Sequence, residues 1–546
     1  MQFRTTAALT SLCAIAALAL TSCTSPGAAS DTAATAQTGG TLVYATGDAE
    51  PTCLDPHVGG NYPQALISTQ YLEPLVGRDA SGEITPWLAD TWQVAEDGLS
   101  WEFTLKEGIT FTDGTPFDAA AVQANIAHLQ DPETQSSTGF TALTKVESVD
   151  AVNDLRVRFN LISPDAALLE SLSQPWTAMQ SPTGIERGME ANCQTPVGTG
   201  PFIVESWEPQ QSVILVRNDD YATPGPEADH DGPAYLDRIE WRFIPDAATR
   251  QAALAAGEVN VIDNPLPIDI AAAEKEGSGI GHLDAPRPGS VNRIELNSGQ
   301  TPFDDVRVRE AFIKSADPGP GITALFHGAA TQSFSPLGSS EPAAISDESI
   351  FVTDVDAAAK LLDDAGWKPG ANGVRAKDGK KLTVRFPVST NQSVAAEQSL
   401  FEQIQANTAQ VGFDVQLEPI DLATWHKRLS SKEYEAVSAP YTKVGPDVLR
   451  ILYHSSGVTP APSGYFGNHA MLLNDDVDAL IEQATKTTDD AERTQLYAEA
   501  QQLILESYVI LPLYDQQNHF LTNGVTGVAK LGTVGTPTFV NTQLTA

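Results

Sequence analysis

Positive charge is scarce in this sequence. Lys and Arg number 32 against 70 Asp and Glu over 546 residues, a formal net charge of −38. That balance argues against nucleic acid and against electrostatic binding to anionic lipid as partners. Catalytic hardware is missing too. No Gly-x-Ser-x-Gly elbow occurs, and "GSGIG" (277–281) has its Ser at the wrong step. Neither a phosphate-binding Gly-x-x-x-x-Gly-Lys-Ser/Thr loop nor His-Glu-x-x-His is found. The nine His are scattered, and His57, His454 and His469 read as structural or surface residues rather than metal ligands. "NDDVDAL" (474–480) lacks the glycine and closing Glu of an EF-hand loop, so its three Asp read as an acidic first helical turn. Internal repeats are absent as well. No cofactor or metal is expected, and a hydrolase is the least supported class.

Hydrophobic residues make up 41% and aromatics 7%, so the chain folds rather than staying disordered. Its length implies two or three domains. The N-terminus reads as a secretory signal: Arg4, then an apolar run from Leu12 to Leu20 that is too short to span a bilayer. Leu20-Thr21-Ser22-Cys23 resembles a bacterial lipobox, which implies cleavage before Cys23 and a lipid on its sulfur. A plain signal peptide with a chance Cys is the alternative. Residues 1–22 are thus the expected signal and 23–39, small and polar, a flexible tether. Of four cysteines, Cys13 leaves with the signal and Cys23 is the acylation candidate. Cys53 and Cys193 remain in an oxidising compartment, where a disulfide is the natural pairing and two unpaired buried thiols the alternative.

Strands and helices alternate along the chain. "GGTLVYATG" opens the folded part as a strand, and "LSWEFTLKEGITFTDG" (99–114) reads as a hairpin pair. Asp118 is a plausible cap for a helix that follows. "DLRVRFNL" (154–161) and "SVILVRND" (212–219) alternate as strands, and 221–236, rich in Pro and Gly, is a loop. In the second half, helix 354–367 presents Ala358, Leu361, Leu362 and Ala365 on one face and ends at Gly366. Strand 381–389, helix 393–412, strand 413–420, helix 422–431 and strand 434–440 form a βαβαβ series expected to build a parallel sheet. Two helices (475–486, 489–506) precede strand 508–516. Tyr441 begins where the third strand of the series ends, the place where open α/β sheets bind ligands.

Five blocks carry a family resemblance: 71–119 ("YLEPLVGRDASGEITPWLADTWQVAEDGLSWEFTLKEGITFTDGTPFDA"), "PVGTGPF" (196–202), "FIPDAATRQAALAAGEVNVID" (243–263), "TPFDDVRVREAFIKSAD" (301–317), and "LLDDAGW" with "NGVRAKDGKKL" (361–382). In order and spanning about 40–530, they resemble family 5 solute-binding proteins of ATP-binding-cassette (ABC) importers, the group of oligopeptide-, dipeptide- and nickel-binding proteins. The resemblance implies an α/β, two-lobed periplasmic-binding-protein fold of class II type with an extra subdomain. Lobe I would hold 40–75, 195–290 and 517–546, the subdomain 76–194, and lobe II 291–516. Crossings at "RPGSVN" (287–292) and "DQQNH" (515–519) would form the hinge.

The implied protein is a monomeric, lipid-anchored, extracytoplasmic receptor at the outer face of the cell membrane. It captures a solute, peptide in the first instance, and delivers it to the permease and ATPase subunits. The resemblance places ligand-binding positions at Gly59, Gly60, Asn61 and Tyr62 on lobe I, and at Tyr441, Thr442 and Lys443 on lobe II, with Asp447 and Tyr514 as further candidates. Peptide-binding relatives carry Trp then Asp in the lobe II loop. Here Tyr441-Thr442-Lys443 stands instead, and the nearest acid is Asp447. Lys443 facing the cleft would favour an anionic group and repel a free N-terminus; facing outward, it would leave Asp447 to anchor the ligand's α-ammonium, as the Asp of those relatives does. A nickel chelate, an opine or sugar acid, or an envelope role in chaperoning or signalling therefore stay open.

Overall fold

The computed structural model describes residues 38–79 and 81–545. The signal, Cys23 and nearly all of the 23–39 tether lie outside the described residues.

The strand Thr41–Thr46 buries Leu42 and Tyr44 on one face, as its alternation requires. It runs parallel to Arg238–Phe243 on one side and Val261–Asp263 on the other. Antiparallel neighbours extend this sheet to seven strands, ordered Gly281–Pro286, Gln517–Thr522, Val261–Asp263, Thr41–Thr46, Arg238–Phe243, Ser212–Arg217 and Phe202–Glu208. Tyr44 and Trp241 stack at its core, ring centroids 3.8 Å apart.

A four-stranded antiparallel sheet follows, ordered Ala89–Val94, Ser100–Leu105, Arg156–Leu161 and Val146–Asn153. Trp101, Phe103 and Leu105 point to the side covered by helix Ala119–Gln130, whose N-terminal Ala121 N–H is capped by Asp118. The expected hairpin within 99–114 does not form. Only Ser100–Leu105 is a strand, and its partners are 89–94 and 156–161. Residues 109–117 instead turn tightly, with one bridge between Thr110 and Pro116; proline offers no N–H to continue a ladder there.

In the second half, Thr383–Ser389 and Asp414–Ile420 pair in parallel across helix Ala395–Ala409, as the crossover pattern requires. The third strand of the expected series departs from it. Ala436–Ser438 pairs antiparallel with Asn292–Leu296, which also pairs with Ile510–Tyr514. One reason is Glu435. Its carboxylate accepts the Arg385 N–H at 2.7 Å and the Arg385 guanidinium, and among the described residues the one backbone–backbone bond from this strand end to the parallel pair is Glu435 N–H to Arg385 carbonyl (3.1 Å). Helix Val355–Asp364 is capped by Asp354 and ends before Gly366 at φ 89°; helices Asp475–Lys486 and Asp490–Glu506 start at caps Asn474 and Asp489.

The chain passes from the seven-stranded sheet to the three-stranded one between Pro286 and Asn292, and returns between Tyr514 and Gln517. The two crossings touch. Arg287 N–H donates to Gln516 carbonyl at 3.0 Å, and the Gln516 amide donates to the carbonyls of Ser290 and Tyr441.

Near the first strand, a disulfide joins Cys53 and Cys193, and Asp55 forms a buried knot beside it. The Asp55 carboxylate accepts from His57 N–H, Gln180, Asn192 and His128 at 2.6–2.9 Å. His57 Nε2 bonds to the Ala178 carbonyl at 2.9 Å. Burial pulls the His57 pKa down to about 4 from 6.5, so the ring is neutral in the folded protein.

Two outcomes follow. The disulfide closes a loop of sequence separation 140, so Cys53→Ser with Cys193→Ser should cost about 3–5 kcal/mol by urea unfolding. An unchanged midpoint would contradict this. The depressed His57 pKa gives stability that is complete above pH 6.5 and is lost as pH falls toward 4, about 3 kcal/mol in all. His57→Asn should flatten that part of the acid dependence; an identical pH profile would show that His57 is not its source.

Candidate functional site

A cavity of about 620 Å³ opens beside the first chain crossing, at Arg287, among the loops around it. Gly59, Gly60, Asn61 and Tyr62 line one side; Tyr441 and Thr442 line the other. These six sequence candidates are brought together.

The first segment is shaped by its glycines. Gly59 and Gly60 have φ of 71° and 89°, where a side chain is strained, and a Cβ at Gly60 would lie 3.2 Å from Thr138 and 3.3 Å from Trp176. Asn61 caps helix Tyr62–Ser68 in a capping box with Gln64, which fixes Tyr62 at the first helical position. The backbone groups of the glycines are already engaged. Gly59 N–H donates to Gln135 carbonyl and Gly60 N–H to Val58 carbonyl and Gln64; Ser137 N–H and the Thr138 hydroxyl donate to the carbonyls of Gly59 and Gly60. Segment 135–138 thus engages the backbone groups of the two glycines.

Tyr441 and Thr442 are held from behind. The Tyr441 carbonyl accepts from the Ser290 hydroxyl at 2.8 Å and from Gln516 at 3.0 Å. Its ring is buried at the wall, where the phenol meets the Thr141 hydroxyl at 3.4 Å. Thr442 pairs with Gly289 in an isolated bridge, and its hydroxyl accepts from Arg287 Nε at 2.9 Å.

Lys443 and Asp447 do not line the cavity, which corrects both alternatives drawn for that loop. Both are about 1% exposed, and they pair with each other at 3.3 Å. Asp447 also takes Arg450 at 2.9 Å. Burial opposes ionisation of Asp447, but Arg450 and Lys443 outweigh it and hold the carboxyl well below its usual range. Gly445, at φ 83°, lets the Glu170 carboxylate approach where a Cβ would collide. The acidic surroundings pull Lys443 inward because a buried charge must be paired. Tyr514 is likewise withdrawn: it packs on Phe326, ring centroids 4.6 Å apart, and bonds to Glu397.

Other wall residues escaped the sequence reading: Asp48, Trp176, Arg287, Trp425, His426 and Tyr465. Arg287 lies in the first crossing, its guanidinium 3.9 Å over the Tyr62 ring. Burial pushes its pKa down. Asp48 is pushed up to about 7, by burial first and then by Asp263. Burial pulls His426 down to about 4, so it is neutral at pH 7. Arg287 could have been suspected as a rare cation at a crossing; Trp176 and Trp425 gave no such signal.

Among the described residues, one group offers metal-ligand spacing: Asp55, His57 and His128, with ligand atoms within 4.8 Å of one another. It lies off the cavity wall, and its carboxylate is already saturated by four donors.

Asp447→Ala would leave Lys443 and Arg450 buried without their shared carboxylate. It should cost about 3–5 kcal/mol of folding stability. Lys443→Met should cost less, because Arg450 still pairs with Asp447, and should leave ligand affinity within about twofold. A Lys443 variant of native stability with reduced affinity would place its ammonium in the cavity.

The family model described as bacterial extracellular solute-binding proteins, family 5 Middle, matches residues 83–462. A glutathione-binding protein, GsiB, of Escherichia coli O1:K1 / APEC is 29% identical over 476 residues, covering 85% of this chain and 86% of that protein. Among solved structures, the ABC transporter-associated periplasmic binding protein DppA of Helicobacter pylori, in complex with the peptide STSA, superposes with TM-score 0.80 at 23% identity, covering 93% of this chain and 99% of that one. NikA of Brucella suis, in complex with Fe(III)-EDTA, gives TM-score 0.76 at 26% identity over 92% and 100%. The fold is that of periplasmic binding proteins, and no helix among the described residues is long and apolar enough to cross a membrane. The chain belongs to family 5 of the bacterial extracellular solute-binding proteins, the non-enzymatic ligand-binding components of ABC importers.

Proposed function

We propose that this protein captures a small peptide between two lobes at the outer face of the cell membrane and hands it to an ABC permease. Lobe I comprises 40–75, 195–290 and 517–546 with the subdomain 76–194, and lobe II comprises 291–516. The observation that carries this reading is the composition of the cavity wall. Tyr62 and Arg287 come from one side of the crossings, and Tyr441, Thr442 and Trp425 from the other. A ligand touching both sides binds a closed arrangement better than an open one, which is the condition for a population shift. The crossings at 287–292 and 515–519 are short enough to serve as the hinge.

The size and character of the cavity favour peptide. About 620 Å³ suits a ligand of a few residues. Aromatic walls from Trp176, Trp425 and Tyr465 suit side chains of varied shape. A relative named for binding glutathione and a structural neighbour holding the peptide STSA point the same way. The protein acts as a monomer, tethered through diacylation at Cys23, since one acyl chain anchors only marginally.

Thermal shift and calorimetry test the reading with oligoalanines of two to four residues, glutathione, nickel and iron chelates, and sugar-acid conjugates. A peptide should raise the unfolding temperature, as any ligand specific to the native state does. A shift from a chelate or sugar acid with none from any peptide would overturn the peptide assignment. Cys23→Ala should move the protein from the membrane to the soluble fraction of cells; retention in the membrane would refute the anchor.

A further inference from the structure

Among the described residues, the buried basic side chains are satisfied, with one exception. Arg293 is paired with Glu295 at 2.7 Å, and Arg450 with Asp447. Arg250 donates to the carbonyls of Ile244, Pro245, Asp263 and Asn264. Arg309 donates to those of Phe303 and Ser507. Arg287, in the cavity wall, uses only Nε, toward Thr442. Its two terminal nitrogens have no partner among the described residues, and no carboxylate there lies within 4.0 Å of them. A guanidinium is a planar fork whose two terminal donors match a carboxylate, and stacking on Tyr62 together with the Thr442 bond fixes the plane of this one.

The acids of the same wall divide in the same way. Glu50 accepts from Trp207 Nε1 and from Gln210 N–H. Asp421 caps helix Leu422–Ser430 through Thr424. Asp48 has no ion pair among the described residues; its side chain bonds to Asn264, and its charged neighbours are Asp263, Arg287 and Arg250. Among the described residues, the cavity wall therefore holds a guanidinium with two unpaired terminal nitrogens and a carboxylate without an ion pair. Each bears the cost of partial dehydration without an opposite charge at ion-pair distance.

We propose that the cavity selects a zwitterion: Arg287 takes the ligand's carboxylate on its two terminal nitrogens, and Asp48 takes its ammonium. This rests on the peptide reading and assigns the two charged ends to residues, neither of which lies in the 441–447 loop. It also explains how a site whose loop lysine and aspartate are sequestered can still anchor a charged ligand. A bound ammonium would draw Asp48 fully into its ionised form, so each end supports the other.

Titration calorimetry on the intact protein tests this with oligoalanines and glutathione, each as the free form, the C-terminal amide and the N-acetyl derivative. The free form should bind about 10–100-fold more tightly than either blocked form. In Arg287→Met the free form should fall by a similar factor, and the amide should lose little more than it already has. Asp48→Asn should show the same pattern toward the N-acetyl form. Arg287→Lys, which keeps the charge without the fork, should fall between wild type and Arg287→Met, and serves if the Met variant does not fold. The wild-type arm needs no variant at all. Equal affinity for free and blocked peptides, or losses that add where they should coincide, would overturn the assignment while leaving peptide binding intact. Failure of every free peptide to bind would overturn the assignment together with the peptide reading.

Discussion

The amide of Gln516 joins three stretches of chain that are far apart in sequence. It donates to the carbonyls of Ser290 and Tyr441, while its own backbone carbonyl accepts Arg287 N–H. The Ser290 hydroxyl repeats the link to Tyr441 and accepts from Arg293 at 2.8 Å. These are buried polar groups, and an unmatched member would carry its full desolvation cost. The arrangement therefore fixes how the two crossings lie against the 441–442 strand end. This stitch ties the backbone at Arg287 and Tyr441, both of which line the cavity wall.

Much of the rest follows from charge that has nowhere else to go. With so few basic residues, a buried lysine must find a carboxylate, and Lys443 finds Asp447 rather than solvent or ligand. Arg450 shares that carboxylate and donates to Thr141 carbonyl, so the ionic cluster also bridges 441–450 to the segment around 141. Contacts of this kind hold the cavity's two walls at their present spacing. Motion of one wall against the other would have to break them, and a ligand spanning both would offset that cost.

Periodicity in the sequence was enough to place most elements: strand Thr41–Thr46, the helices capped by Asp118 and Asp354, and the parallel pair around helix Ala395–Ala409. Strand partners were less legible, because pairing is decided by distant residues. Ala436–Ser438 turns to Asn292–Leu296 once Glu435 has claimed Arg385. The site was half legible. Gly59 to Tyr62 and Tyr441 to Thr442 stood at strand ends and in family-like segments. Lys443, Asp447 and Tyr514 sit beside them in sequence but turn into the interior, a choice made by partners such as Glu397 and Arg450 that no local pattern announces. Asp48 and Arg287 were missed because the fold, and no local pattern, brings them to the cavity wall.

The central claim is that a peptide is held by both walls at once. Hydrogen–deuterium exchange with and without saturating peptide tests it most directly. The account predicts added protection in helix 62–68, in the 441–443 segment and at the 287–291 crossing, with none in the remote helix 475–486. Protection confined to one wall, or appearing away from the cavity, would contradict it.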